Sequence, residues 1–245
     1  MNIRNLAVLA SILILSLLSA CSDNDDNNSS VEPAEPLKIL TIGGSRVAGD
    51  HPTYESYRYE LWKNLITENW NVDFVGYLED AATYPEYMGQ TFDPDHAGIA
   101  GLMTPNVINN IQDILSEETD VVLMDIGGND LLNGTSPEET VAKVNEIIDL
   151  IQEKYPNVTV IVEQIAPAHS FVMSAGFTPL MLEFNELILE VAEQQTNETS
   201  KVIVVDMAEG WSDAYLADEL HYNETGAKII ADRYFEAIEA FVEKR

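Results

Sequence analysis

Cysteine and basic residues are scarce in this sequence of 245 residues. The single cysteine, Cys21, excludes an intramolecular disulfide. Twelve lysine and arginine residues stand against 42 aspartate and glutamate residues, which gives a formal net charge of −30. Nucleic-acid phosphates and anionic lipid headgroups would repel such a chain. We therefore exclude nucleic acid as a partner, and we exclude a membrane surface bound through a basic patch.

The sequence also lacks the patterns of phosphate loops and metal centres. Gly43-Gly44-Ser45 has no lysine after it, unlike the nucleotide-binding loop that holds phosphates. The four histidines are scattered along the chain without metal-ligand spacing: His51, His96, His169 and His221. This spacing gives no support to a zinc site.

One long apolar run is present, from Leu6 to Leu18, and it follows Arg4. This pattern is typical of a secretory signal peptide, and its apolar core is too short for a membrane span. Leu18-Ser19-Ala20-Cys21 resembles the bacterial lipobox, in which the cysteine is lipidated; an ordinary signal peptide with a chance cysteine is the alternative. We predict a signal peptide over residues 1–20 and a lipid on Cys21.

The polar stretch that follows is predicted to be a flexible tether over residues 21–36, because it has no apolar period. Several acyl chains on one N-terminus anchor a protein stably to a membrane. We therefore expect a domain tethered to a membrane of the bacterial cell envelope, with the outer membrane or the cell surface as candidate locations.

From Leu37 onward, apolar runs that favour strands alternate with segments of helical periodicity. Five strands are predicted, at residues 37–42, 72–76, 121–126, 159–164 and 202–206, with helices at residues 57–68, 106–115, 137–155, 180–195 and 225–243. The Gly- and Asp-rich stretch from Tyr77 to Met103 is predicted to be an irregular connection. Alternation of this kind predicts one α/β domain over residues 37–245, with a parallel sheet covered by helices on both faces.

Four polar stretches stand out, and three of them follow predicted strands or lead into predicted helices. They are Gly44-Ser45, Asp95 to Gly101, Gly127 to Asp130, and Asp218 to His221. Because the carboxyl ends of parallel strands meet at one edge of a sheet, we expect these stretches to lie close together. Gly43-Gly44 is predicted to form a sharp turn in a conformation that other residues do not adopt.

These stretches contain the groups that acyl transfer needs. A serine hydroxyl is a weak nucleophile until a base, most often histidine, takes its proton. A carboxylate must orient the imidazole, and Asp218 lies three residues before His221. Glycine N–H groups and the Asn129 side chain can donate to a developing oxyanion.

In their order, the four stretches resemble the SGNH (GDSL-type) hydrolase family over residues 37–241. The resemblance implies a three-layer α/β/α sandwich, with a flavodoxin-like parallel sheet of about five strands, and a serine-hydrolase mechanism without a metal or organic cofactor. It implies Ser45 as the nucleophile, His221 as the base and Asp218 as the orienting acid. The oxyanion donors would be the backbone N–H groups of Ser45 and Gly101 and the Asn129 side chain, with Gly98 as an alternative to Gly101.

Residues 56–65, 72–76 and 95–98 resemble the acetylxylan-esterase group within that family, which implies O-acetyl groups on a carbohydrate as substrate. One departure concerns Gly44, which stands where the family usually has an aspartate that helps to hold the nucleophile turn. Arg46 is a candidate for binding an acidic sugar, or else a solvated or salt-bridged side chain. Trp211 is a candidate wall of the substrate site.

We therefore predict a tethered serine esterase that removes acetyl or another small acyl group from carbohydrate. A lysophospholipase or thioesterase is the alternative among enzymes. A glycan-binding lipoprotein without activity, on the same scaffold, is the alternative outside enzymes.

Overall fold

The computed structural model describes residues 35–245, apart from the side chain of Ala175. The predicted signal peptide, the predicted lipidation site Cys21 and most of the predicted tether lie outside these residues and stay predictions. Within residues 35–245, the structure has no helix that is both long and apolar enough to cross a membrane.

In the described part of the chain, seven strands form one sheet: β1 (Leu37–Gly43), β2 (Val72–Val75), β3 (Leu78–Glu79), β4 (Asp95–Gly98), β5 (Val121–Asp125), β6 (Thr159–Gln164) and β7 (Lys201–Asp206). The order is β3-β4-β1-β5-β6-β7, and β2 also pairs with β1. All pairs are parallel except β3 with β4. The parallel sheet is confirmed, but the predicted count of five strands is wrong.

Both missed strands lie in the stretch that was predicted to be irregular. The start of β1 pairs with β2, and its end pairs with β4 through Ile42 and Gly43. The sequence of β4, Asp-His-Ala-Gly, has no apolar alternation. Its polar residue His96 is buried, and Gly98 is so close to Ala48 that a Cβ atom would lie 2.6 Å from the Ala48 nitrogen. Tertiary packing, rather than local propensity, makes this segment a strand.

The helices are α1 (Ser45–Ala48), α2 (Arg58–Thr67), α3 (Thr104–Asn109), α4 (Ile111–Ile114), α5 (Gly128–Leu132), α6 (Pro137–Lys154), α7 (Ser170–Val172), α8 (Thr178–Gln195) and α9 (Glu224–Phe241). A π-helical segment, Met173–Phe177, joins α7 to α8, and a 3₁₀ turn covers Asp213–Tyr215. The long helices agree with the predicted ones to within about two residues, the usual uncertainty of helix ends.

Two apolar cores cover the two faces of the sheet. Alternate residues of β1 serve each core: Leu40 and Ile42 pack with α6 and α8, whereas Leu37 and Ile39 pack with α2 and α9. This is the period of two expected when both faces of a strand are buried. Because both cores fix β1 and β5, the loops at their carboxyl ends start from rigid positions.

Candidate active site

The carboxyl edge of the sheet brings together the polar stretches found in the sequence. Ser45 is the first residue of α1, directly after β1 and Gly44. Asn129 lies in α5, which follows β5, and His221 lies just before α9. Ser45 and His221 form a hydrogen bond, although they lie 176 positions apart in the chain.

A continuous chain of hydrogen bonds joins Ser45, His221 and Asp218. The distance from Ser45 Oγ to His221 Nε2 is 2.8 Å, and His221 Nδ1 lies 2.7 Å from Asp218 Oδ2. The other carboxylate oxygen, Oδ1, accepts the backbone N–H groups of Leu220 and His221, each at 2.8 Å. In this arrangement an imidazole can take the serine proton while a carboxylate orients the ring.

The backbone helps to keep the Asp218 carboxylate charged. Partial burial acts to raise the pKa of Asp218. Hydrogen bonds from the Leu220 N–H, the His221 side chain and the His221 N–H act in the opposite direction and leave the pKa below its ordinary value. At neutral pH the carboxylate is therefore available to stabilise an imidazolium.

Tyr54 packs on the face of the His221 ring, a contact that the sequence analysis missed. The two ring centroids are 3.9 Å apart and the planes differ by 16°. The loop that carries Tyr54 is fixed on both sides by isolated β-bridges, one between Asp50 and Tyr54 and one between Glu55 and Tyr222. No local pattern around Tyr54 points to this contact, which depends on residues far apart in the chain.

The glycines before Ser45 are needed for space, not for an unusual conformation. Gly44 has a φ of −81°, and neither Gly43 nor Gly44 has a positive φ. A Cβ atom on Gly43 would lie 2.5 Å from the Asp125 carbonyl oxygen, and one on Gly44 would lie 2.8 Å from Asn129 Nδ2. The predicted turn conformation is wrong, and the side-chain amide of Asn129 fills the room beside Gly44.

The Asn129 side chain is held by the loop after β4. Its Nδ2 donates one hydrogen bond to the Leu102 carbonyl at 2.9 Å, which leaves a second N–H of the amide. The buried Asp130 carboxylate accepts the N–H of Thr104 at 3.0 Å and its hydroxyl at 2.6 Å. The Gly127–Asp130 stretch is thereby joined to the loop that carries Gly101.

The other oxyanion donors expected from the sequence lie in two different environments. The N–H of Ser45 belongs to the first residue of a helix, where backbone donors have no partner within the helix. The Gly98 N–H already donates to His96 Nδ1 at 2.9 Å, so the alternative donor is engaged elsewhere. Gly101 is exposed, with a φ of +76°.

Arg46 points inward to backbone carbonyls, which contradicts the predicted alternative of a solvated or salt-bridged side chain. The nitrogens that were expected to bind an acidic sugar face the same carbonyls. Arg46 Nε donates to the Leu220 carbonyl at 2.8 Å and one terminal nitrogen to Ala166 at 2.7 Å. The third nitrogen lies 3.4 Å from the Pro167 carbonyl, and the guanidinium lies over the Tyr222 ring. Arg46 thus joins the loop after β6 to the loop that carries His221.

A small pocket of about 60 Å³ opens beside Ser45 and Asn129. Its apolar walls include Leu132, Ile165 and Phe177. The wall at Ile165 is fixed from α8, because Asn185 accepts the Ile165 N–H at 2.8 Å and donates to its carbonyl at 3.3 Å.

Trp211 does not line this pocket, and its role as a substrate wall stays a prediction. It packs edge-on against Tyr215 and Tyr222, with both centroid distances at 5.4 Å. Its indole nitrogen is buried and has no hydrogen-bond partner among residues 35–245. The aromatic ring that stacks on His221 is that of Tyr54.

The GDSL-like lipase/acylhydrolase family model matches residues 66–229, about two thirds of the chain. The chain belongs to this family. The match includes Asn129, Asp218 and His221 and begins after Ser45. No curated protein matches the sequence.

Solved structures agree with this SGNH hydrolase fold. A family 3 carbohydrate esterase from Clostridium thermocellum is 28% identical, with a TM-score of 0.68, covering 85% of this chain and 100% of that one. A second, from Talaromyces cellulolyticus, is 24% identical, with a TM-score of 0.73, covering 83% and 97%. An acetyl esterase mutant is 23% identical, with the same TM-score and coverage. The predicted SGNH family is therefore confirmed, and the chain is an ester-hydrolysing enzyme of the GDSL type.

Proposed function

We propose that this GDSL hydrolase removes acetyl groups from carbohydrate through an acyl-enzyme on Ser45. The observation that carries the proposal is the hydrogen-bonded chain from Ser45 through His221 to Asp218. These three groups have the chemistry of a nucleophile, a general base and an orienting carboxylate, and each of the two hydrogen bonds that join them is shorter than 3 Å.

In the first half of the reaction, Ser45 Oγ attacks the ester carbonyl carbon while His221 Nε2 takes the hydroxyl proton. The resulting tetrahedral intermediate collapses when the bond to the sugar oxygen breaks, and His221 returns the proton to that oxygen. In the second half, His221 takes a proton from water, and the hydroxide attacks the acyl-enzyme. Acetic acid leaves and Ser45 regains its proton.

The negative oxygen of each intermediate needs donors that are already in place. Ser45 N–H, Gly101 N–H and Asn129 Nδ2 are the proposed donors. The Leu102 carbonyl supports the assignment of Asn129, because it holds the amide nitrogen at 2.9 Å before substrate arrives. Such preorganisation is usually the largest single contribution to acyl-transfer catalysis.

The size of the pocket supports a short acyl group. It offers about 60 Å³, and a water-sized group needs about 10–15 Å³, so it has room for about four such groups. This small space beside Ser45 suits an acetyl group better than a fatty acyl chain. The 28% identical carbohydrate esterase supports a sugar as the alcohol part of the substrate.

The test is hydrolysis by the full chain of 4-nitrophenyl acetate, butyrate and octanoate, and release of acetate from acetylated xylan. Ser45→Ala and His221→Ala are compared with Ser116→Ala, a matched exposed serine in the turn before β5. We expect loss of at least about 10³-fold in kcat for the two site variants and none for the control.

Full activity in Ser45→Ala or His221→Ala would refute the proposed catalytic roles. A rate that rises with acyl-chain length would contradict the acetyl assignment and favour a lipase-like enzyme. Hydrolysis of aryl acetate without any release of acetate from xylan or acetylated oligosaccharides would contradict the carbohydrate assignment.

A further inference from the structure

Acidic residues are frequent on the segments around His221, the group proposed to return a proton to the leaving alcohol. Five carboxylates belong to the segments that carry or contact His221 and Tyr54: Asp50, Glu55, Asp218, Glu219 and Glu224. Glu55 and Glu224 line a cavity together with Tyr54, whose ring covers His221. Electrostatic repulsion from Asp50 and Asp218 contributes to the raised pKa of Tyr54, after the larger effect of burial.

Positive charge that could offset these carboxylates for a ligand is committed elsewhere. Arg46 is the only basic residue that lines the pocket within the described residues, and its three nitrogens face backbone carbonyls. Arg58, buried under the neighbouring loop, pairs with Asp80 at 2.7 Å. His51, on the segment that carries Tyr54, is also engaged, because its Nδ1 lies 2.8 Å from Glu55 Oε1. An anionic substrate would therefore meet more negative than positive charge among the described residues on this side of the site.

We infer that the site selects esters of uncharged alcohols and discriminates against esters whose alcohol part is anionic. The position of the ester relative to these carboxylates rests on the proposed function. Repulsion acts both on the approach of the substrate, through the net charge of −30, and in the bound complex, through the nearby carboxylates. Neutral acetylated sugars are thus preferred over acetylated uronates and over esters that carry a phosphate.

The first test compares two acetylated methyl glycosides, a glucoside and the matching glucuronide, which differ by one carboxylate. We expect kcat/KM to be about tenfold lower for the glucuronide at 10 mM salt. The ratio should approach one at 1 M salt, because the screening length falls from about 30 Å to about 3 Å.

A second pair, methyl 4-acetoxybenzoate and 4-acetoxybenzoate, contains no sugar and tests the same preference for a neutral substrate over an anionic one. Preference for the neutral member of this pair, with no cleavage of either glycoside, would refute the carbohydrate assignment and support charge selection. Equal kcat/KM within both pairs at low salt, or ratios that do not change with salt, would overturn charge selection and leave the esterase assignment intact.

Matched variants distinguish the effect of the carboxylates near the site from the effect of the net charge of the protein. Glu219→Gln with Glu224→Gln removes two exposed charges beside the site, and Glu153→Gln with Glu243→Gln removes two exposed charges at the opposite edge of the sheet. We expect the first double variant to reduce the low-salt discrimination about threefold, and the second to leave it unchanged. Equal effects of the two double variants would overturn the local assignment.

Discussion

The two edges of the sheet hold their charged groups in different ways. At the carboxyl edge, Arg46 binds backbone carbonyls and Asp218 accepts backbone N–H groups. At the amino edge, charges pair with each other: Lys38 lies 3.6 Å from Glu118, and Arg245 forms two hydrogen bonds to Asp120. The basic side chains of the amino edge thus rely on exposed ion pairs, although Asp120 also accepts the Lys38 N–H at 2.9 Å, whereas Arg46 at the carboxyl edge has backbone partners.

The difference matters because exposed ion pairs contribute little and tolerate change, whereas backbone groups have positions set by the whole fold. The carboxyl edge is also tightly packed. Backbone and side-chain atoms at the carboxyl edge are packed so closely that Gly43, Gly44 and Gly98 have no room for a Cβ atom. We therefore expect substitutions at the carboxyl edge to affect catalysis and matched substitutions at the amino edge to have small effects.

The largest effect in this comparison is expected for Asn129→Ala. Loss of one oxyanion donor should lower kcat about 10²–10³-fold with little change in KM. The matched control is Asn157→Ala, an exposed asparagine near the amino edge, which should leave both constants unchanged. A loss of less than threefold in steady-state kcat would remove Asn129 from the proposed oxyanion site.

Gly44→Ala is expected to lower kcat about 10- to 100-fold, because its Cβ would displace Asn129 Nδ2 from its position 2.8 Å away. A double-mutant cycle checks the cause. In the Asn129→Ala background, Gly44→Ala should have almost no further effect on kcat. Full additivity of the two losses would contradict a role for Gly44 in seating Asn129.

His96→Asn tests whether a buried imidazole makes the carboxyl edge sensitive to pH. Burial, with help from Arg58, lowers the pKa of His96 from 6.5 to about 4. The unfolded chain binds this proton at higher pH than the folded protein does, so stability is lost as the pH falls from about 6.5 to about 4. Between pH 7 and 4.5, His96→Asn should reduce that loss by about 2 kcal/mol.

The measurement for His96→Asn is urea unfolding at several pH values. An asparagine oxygen can still accept the Gly98 N–H, so the variant keeps the local hydrogen bond. The control is Arg245→Gln, which breaks the exposed pair with Asp120 at the amino edge. Parallel pH profiles for wild type and His96→Asn would show that this imidazole does not cause the loss.

Arg46→Lys should cost about 1–2 kcal/mol of unfolding free energy, because a lysine cannot satisfy three carbonyls on two loops. We also expect a lower kcat, since the loop that carries His221 loses its tie to the loop after β6. Arg245→Lys is the matched change at the amino edge and should cost less than about 0.5 kcal/mol. Equal costs for the two variants, measured by urea unfolding, would remove the contrast between the edges.

The smallest effect is expected at Tyr54. Tyr54→Leu should lower kcat about fivefold, because an aromatic pair contributes about 1 kcal/mol beyond its buried area. Tyr54→Phe keeps the ring and should retain the wild-type rate. If Phe and Leu lower the rate equally, the hydroxyl rather than the stacked ring is the group that matters.

Local patterns allowed much of the fold to be predicted. Two examples are the helical period of Pro137–Lys154 and the apolar run of Thr159–Gln164. In each, one regular structure buries the apolar side chains, so the pattern predicts that structure. The strand Asp95–Gly98 has no such pattern, and it was missed because its pairing with β1 depends on close packing of Gly98 against Ala48 and on burial of its own His96. Arg46 was misjudged for a related reason, since its carbonyl partners lie more than 100 residues away in the chain.

The sequence by itself determined the alternation of strands and helices, the family, and the types of residue available for acyl transfer, because these depend on local periodicity and on short motifs. Only the tertiary structure decided how Ser45, which precedes the matched family region, reaches His221. It also decided that Asn129 fills the room beside Gly44 and that Tyr54 covers the imidazole. Each of these contacts joins residues far apart in the chain, and the packing of helices on the two faces of the sheet sets their distances.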